Sequence, residues 1–358
     1  MKIKKVFIYL FALAAVVLLV KNASDAILYA KDALRICVEM VVPSLFPFFI
    51  CSGILIYSGF CEVLSKIFRF CMYPLFRVSP AGSSAFILGI VSGYPLGAIT
   101  AGELYQNSYL SKTEAERLLA FCNNSGPLFI LGSVGIAIYT NIGYGIALYI
   151  SHILAALTVG ILFRFYGRKK HCAPDTSMTT PERSTGEIFD ISLQNGIRNI
   201  LTVCGAVLFF SVISRLLLDI IPMSNFTSSI VSGLMEFVTG TVNVSHLSIP
   251  TANKLILTAV IVGFAGISVH AQVMAVIAKY RLSLAPYIVG KALHGIFAGL
   301  YMFIYLHFNP ITTAVFKPSI SLSFASASAF ETITAISVVI MCVICALGLC
   351  IRGSKKGH

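Results

Sequence analysis

The sequence predicts an all-α integral membrane protein with about eight transmembrane helices and two re-entrant hairpins set in inverted repeats. Three observations predict it. Of 358 residues, 57% are hydrophobic and only 11% charged, with a mean hydropathy of +0.89. The charge is confined to short intervals between apolar stretches of roughly 18–25 residues, enough to cross a bilayer core as helices. Several of those stretches are interrupted by Gly, Pro, Asn and Ser clusters, and a set of short matches recurs in the same order along the chain. A water-soluble domain of this length would need far more polar surface.

Composition also excludes other classes. The net charge is +12, but the basic residues sit at the ends of apolar segments, where the positive-inside rule places them. No basic face is interleaved with exposed aromatics, so no nucleic-acid partner is expected; the partner is the lipid bilayer. The ten cysteines are scattered, most of them in apolar runs, such as Cys51, Cys204 and Cys342. There they act as small hydrophobes. Cys342 and Cys345 form a CxxC with no second ligand pair nearby, so no metal site and no cofactor are expected. There is no phosphate-binding glycine loop, zinc-protease helix or nucleophile elbow, and the chain is not expected to be an enzyme.

The N-terminus carries Lys2, Lys4 and Lys5 before an apolar run to Val20, then Ala23-Ser24-Asp25-Ala26. That pattern fits a signal peptide or a short first span, and residues 1–22 are expected to form an uncleaved anchor. Residues 23–166 are expected to form the first repeat. A mixed stretch with Asp32, Arg35 and Glu39 leads to Pro43 and Pro47, which are expected to break the helix running on to Phe60. Cys61 to Arg77 sets Lys66, Arg69 and Arg77 among aromatics and reads as an interfacial amphipathic helix. Residues 80–105 are too apolar for a loop, yet Ser92-Gly93-Tyr94-Pro95 interrupts them, which predicts a re-entrant hairpin. The helix opened by Ser111 to Arg117 is expected to break at Asn123-Asn124-Ser125-Gly126-Pro127 and resume to Tyr139. A span from Gly143 to Phe165 closes the repeat.

A cytoplasmic loop rich in Ser, Thr and Pro is expected at 167–187. The second, inverted repeat, 188–308, follows the same plan. An amphipathic Ile188 to Arg198 precedes a span to about Ile221. A hairpin over 228–248 is expected to break at Ser232-Gly233 and Gly240. A span from Leu255 to Ala278 is interrupted within Gly263 to Gln272, and another runs from Pro286 to Phe308. Residues 309–358 are expected to hold an external Ser/Ala-rich segment and a final span. With the N-terminus inside, 19 of the 26 Lys and Arg fall on the cytoplasmic side, and the C-terminus is inside too.

The repeat rests on ordered matches. Ile90-Val-Ser-Gly93 recurs as Ile230-Val-Ser-Gly233, Leu110-Ser111 as Leu247-Ser248, and Arg117-Leu-Leu as Lys254-Leu-Ile. Phe121 and Ser125 pair with Phe264 and Ser268, and His152 with His294, all at offsets of 137 to 143. Paired hairpins and broken helices in inverted repeats are a transporter architecture with its site near the midplane. Non-helical backbone inside a bilayer must be buried or line a wet cavity, where its freed amides and carbonyls can act as ligands.

The candidate substrate-binding residues lie at these interruptions. Asn123, Asn124, Ser125 and Gly126 offer donors and acceptors around an unwound turn, or else cap a helix at the membrane edge. Ser268, His270 and Gln272 stand in the matching place of the second half, where His270 either binds an anion or relays a proton, or is a neutral interhelical bridge. Ser92, Gly93 and Tyr94 mark the first hairpin tip, with Tyr94 placed to stack on a planar ligand or simply to pack. Ser232 and Gly233 mark the second. Glu103 and Glu236, after the tips, are candidates for ion or proton coupling, or for a carboxylate at an interface. Lys291 and His294 share one side of a helix, and Lys291 either carries charge into the site or snorkels to the cytoplasmic interface.

Val42-Pro-Ser-Leu-Phe-Pro-Phe-Phe49, Ser92-Gly-Tyr-Pro-Leu-Gly-Ala98, Asn123-Asn-Ser-Gly-Pro127 and Gly263-Phe-Ala-Gly-Ile-Ser-Val-His-Ala-Gln272 resemble the YlbJ-type stage V sporulation integral membrane proteins. The likeness covers nearly the whole chain. More remotely, the fold resembles the nucleoside-recognition or gate domains of concentrative nucleoside transporters and of the pore part of ferrous-iron transporters. The resemblance implies a role in endospore formation and movement of dipicolinic acid, a small aromatic anion, across the outer forespore membrane. Alternatives are a nucleoside or ion transporter of the same fold and a non-transporting sporulation scaffold. Tyr94 and Pro95 stand where nucleoside carriers present polar side chains, which tells against a nucleoside. The resemblance leaves room for a homo-oligomer, for which the sequence marks no interface.

Overall fold

The computed structural model describes residues 2–167, 182–309 and 311. The central part of the expected cytoplasmic loop, the final span and the Cys342/Cys345 pair lie outside the described residues. Within them the chain is helical throughout, with no strand. Five helices are long and apolar enough to cross a membrane: Ala23–Tyr57, Ile142–Phe163, Thr185–Ile220, Thr251–Ala278 (which contains a break) and Ala285–Phe308.

The first helix, α1 (Lys2–Lys21), is followed after a single residue by α2 (Ala23–Tyr57). Pro43 and Pro47 do not break α2, contrary to expectation. One π turn, Cys37–Val41, precedes Pro43, so the proline opens the next stretch of α-helix, where its missing N–H is not required. Ser44 Oγ donates to the Met40 carbonyl at 2.6 Å and so serves an acceptor of that turn. At 35 residues, α2 is about 52 Å long, more than a bilayer core of about 30 Å requires. The expected single amphipathic helix over 61–77 is two short ones, α3 (Phe60–Ile67) and α4 (Arg69–Phe76).

Two helical hairpins stand out among the described residues. The first pairs α5 (Ser83–Ser92) with α6 (Leu96–Gln106) around Gly93-Tyr94-Pro95. Arms of 10 and 11 residues rise about 15 Å, half a bilayer core. The second pairs α11 (Asn225–Met235) with α12 (Phe237–Ser245). Its turn is at Glu236, not at Ser232-Gly233 and Gly240. Those glycines lie on the facing arms, so close that a Cβ on Gly240 would fall 2.0 Å from the Gly233 Cα.

Each hairpin is followed by a broken helix and then a long one. In the first half α7 (Lys112–Cys122) stops, residues 123–126 run non-helically, and the π-wound α8 (Leu128–Ile138) resumes before α9 (Ile142–Phe163). In the second half α13 (Thr251–Phe264) and α14 (Gly266–Ala278) meet at Ala265, before α15 (Ala285–Phe308). The helix that opens the second half, α10 (Thr185–Ile220), is a single 36-residue rod. Its start lies inside the expected loop, where Ser184 and Glu187 form a capping box. A second capping box, Ser111 with Glu114, starts α7.

Side-chain contacts gather the chain ends that the basic residues assign to one side. Glu114 accepts from the Ser79 amide (2.8 Å) and hydroxyl (2.5 Å). Arg117 donates to the Arg77 carbonyl and, at 2.6 Å, to the Tyr166 carbonyl. Glu116 accepts from the Tyr166 hydroxyl (3.0 Å) and the Ser283 amide (3.0 Å). At the other end Tyr29 donates to Asp219 and Arg215 to Asp32, each at 2.7 Å, tying α2 to α10.

Candidate functional site

Each hairpin tip seats on the break of its own half. Gly93 has φ +84°, and a Cβ there would lie 3.0 Å from the Gly126 amide nitrogen. Gly266 has φ +70°, and a Cβ there would lie 3.0 Å from the amide nitrogen of Phe237, at the second tip. Both positions need the left-handed conformation and a close backbone approach, which glycine alone meets without strain. Ala265 beside Gly266 holds φ +73° with its methyl fully buried, so the second break carries a strained residue.

The two tips then meet each other. The Tyr94 ring packs edge-on to Phe237 at 5.5 Å, and Phe237 to Phe129 of α8 at 5.3 Å. The Tyr94 hydroxyl donates to the Val262 carbonyl at 3.1 Å, so the first tip also holds the second broken helix. A cavity of about 20 Å³ opens here, between Tyr94, Ser125, Gly126, Phe129, Phe237 and Gln272. That is room for a water molecule and not for an aromatic ring.

Behind Tyr94 lies a polar cluster. Lys291 of α15 is fully buried. Its ammonium donates to the Asn123 carbonyl at 3.2 Å and to His294 Nδ1 at 3.4 Å, and stands 5.6 Å from the Tyr94 ring centre. His294 faces His152 of α9 with 4.3 Å between ring centres. The Ser125 amide donates to His152 Nε2 at 3.1 Å, so His152 serves a backbone donor that the unwound turn frees. With Nε2 accepting, His152 carries its proton on Nδ1; with Nδ1 accepting from lysine, His294 carries its proton on Nε2. His270 Nδ1 donates to the Gly266 carbonyl at 2.7 Å and leaves Nε2 as an acceptor.

Many polar atoms of this region are buried with no hydrogen-bond partner. They include both side-chain atoms of Asn123, Asn124 Oδ1, Ser268 Oγ, Gln272 Oε1, and the outward ring nitrogens of His152, His270 and His294. A buried polar atom left unpaired costs about 1–3 kcal/mol. Their concentration at two chain breaks is the electrostatic mark of the site.

The remaining candidates lie around this cluster or away from it. Ser92 bonds Ser52 of α2 through their hydroxyls. Ser232 Oγ accepts from Asn243 Nδ2 at 3.1 Å between the hairpin arms, with Gly233 alongside. Glu236 is fully buried at the second tip, where its carboxylate accepts from the amides of Val238 (3.2 Å) and Thr239 (2.7 Å) and caps α12. Glu103 lies towards the end of α6 and faces Lys279, Tyr57 and Tyr280 instead of the breaks. Lys291 does not snorkel to an interface, because its side chain is enclosed between α7, α15 and the first tip. Reading the sequence for site residues passed over His152, although its match to His294 in the ordered repeat was the available signal. It passed over Phe237 as well, which looks like any apolar residue.

No family model matches the chain, and no solved structure does. A relative, the sporulation integral membrane protein YlbJ of Bacillus subtilis (strain 168), is 30% identical over an alignment spanning 88% of this chain and 86% of the relative. This chain belongs to the YlbJ family of sporulation integral membrane proteins. The five long apolar helices agree with that membership. As a YlbJ-family member the chain is an integral membrane protein with a role in sporulation.

Proposed function

We propose that this YlbJ-family protein is a membrane carrier and not an enzyme, and that its cargo is a small planar anion, dipicolinic acid. In this reading the two hairpins are re-entrant, entering from opposite faces of the outer forespore membrane, with both termini cytoplasmic. The repeats run 23–166 and 188–308, and assembly as a homo-oligomer belongs to the same reading.

The observation that carries it is the gathering of unpaired buried polar atoms where two hairpin tips and two helix breaks meet. A scaffold has no need of such atoms in an apolar setting, whereas a carrier needs them for its cargo. A planar dicarboxylate matches the inventory: imidazole and amide donors, an ammonium, and Tyr94 and Phe237 for the ring faces. On this reading the small cavity corresponds to an occluded arrangement, passage requires the tips to part, and the Tyr94–Phe237 contact is what opens.

The test in cells is complementation. Expressed in B. subtilis lacking YlbJ, the protein is expected to restore spore dipicolinate, and the Asn123→Ala, Ser125→Ala double variant is not, at equal protein level. Normal spore dipicolinate in the strain lacking YlbJ altogether contradicts the proposal.

A further inference from the structure

We infer that Lys291 is the counter-charge of the substrate's carboxylate, so that the site selects its cargo by charge before shape. The inference rests on the carrier reading and names the residue that sets substrate class.

Lys291 is the largest charged side chain buried without exposure, and no carboxylate lies within ion-pair distance of it among the described residues. The nearest groups are all neutral or dipolar: the Asn123 carbonyl, His294, and the Tyr94 ring. Electrostatic reach extends to Cys122, His152 and His270, none of which supplies a resident negative charge. The buried carboxylate of the second tip, Glu236, is spent on two amides of α12. An ammonium in an apolar interior without a counter-ion is costly to stability. Its neighbours are donors as well: the protonated nitrogens of His152 and His294 and the Asn123 amide have no acceptor. The unpaired acceptors of the region, Asn123 Oδ1, Asn124 Oδ1 and Gln272 Oε1, are neutral, so the ammonium still lacks a counter-ion, and the bidentate reach of a carboxylate would serve the lysine and an imidazole together.

A structural lysine and a binding lysine differ in what their loss does. Lys291→Met keeps the stem volume and removes the uncompensated charge, so the apo protein is expected to melt at the same or a higher temperature. Dipicolinate binding to the purified protein is expected to weaken roughly 30-fold or more. The neutral isostere pyridine-2,6-dimethanol is expected to bind the wild type far more weakly than dipicolinate does, and Lys291→Met no more weakly than the wild type. Lys291→Gln, which keeps a donor, guards against a packing defect peculiar to Met and is expected to behave in the same way. Dipicolinate affinity within a few fold of wild type in both variants overturns the inference and leaves the carrier reading standing. A drop in melting temperature with equal loss of the neutral isostere also overturns it, since that marks a structural lysine. A wild type that binds neither ligand overturns both.

Discussion

His152 and His294 stand ring to ring, 4.3 Å apart between centres, and join α9 to α15 at the core of the molecule. They occupy matched positions in the two halves, at an offset of 142 residues. Their roles differ. His152 accepts the Ser125 amide and so completes the first break, while His294 accepts from the Lys291 ammonium.

That asymmetry predicts unequal costs. His152→Ala strands the Ser125 amide in a dry interior and is expected to lower stability by about 1–3 kcal/mol. His294→Ala leaves no backbone group unpaired and is expected to cost less. Thermal unfolding in detergent checks the order, and equal losses would contradict the assigned roles.

Glu236 at the second tip serves as the N-cap of α12. Glu236→Ala removes an acceptor from two amides and is expected to destabilise by about 1–2 kcal/mol. Glu236→Gln keeps one good acceptor and is expected to lose less. A thermal series over the three proteins distinguishes this capping role from a purely ionic one, for which Gln and Ala would lose equally.

Gly97 marks how closely the first hairpin seats on α7. A Cβ there would fall 2.1 Å from the Cys122 carbonyl oxygen, which is backbone and cannot swing aside. Gly97→Ala is therefore expected to destabilise by about 1–3 kcal/mol and, on the carrier reading, to abolish dipicolinate uptake. Gly205 of α10 has open space around it, and Gly205→Ala serves as the neutral control. Melting temperature and uptake measured together on both variants check the contrast.

Arg117 fastens one end of the helix bundle by reaching two carbonyls from two different segments. A lysine cannot span both with one ammonium. Arg117→Lys is expected to loosen the end of α9, seen as faster amide exchange around Tyr166 with little change at the breaks.

Much of this was legible in the sequence where backbone chemistry announces itself. Ser92-Gly-Tyr-Pro95 and Asn123-Asn-Ser-Gly-Pro127 sit in apolar runs, and residues of that kind there mark a turn and an unwound helix, as found. The second tip was less legible, because Glu236 reads as an ordinary polar residue and its capping geometry needs the fold. Pro43 and Pro47 misled, because a π turn places Pro43 at the start of the next α-helical stretch, and Pro47 is carried within that stretch without a break. The burial of Lys291 is not written in its neighbours either. It depends on α7 and the first tip, more than 160 residues away, closing over it.

On the carrier reading, a planar anion passes through the meeting point of the two breaks. Uptake of radiolabelled dipicolinate into liposomes holding the purified protein tests it most directly, with the His270→Ala, Asn123→Ala double variant alongside under sodium and proton gradients. The wild type is expected to take up label in a manner that excess unlabelled dipicolinate suppresses, and the folded variant to lose that uptake. Uridine moving in place of dipicolinate, or no movement of either in correctly folded protein, would contradict the carrier reading.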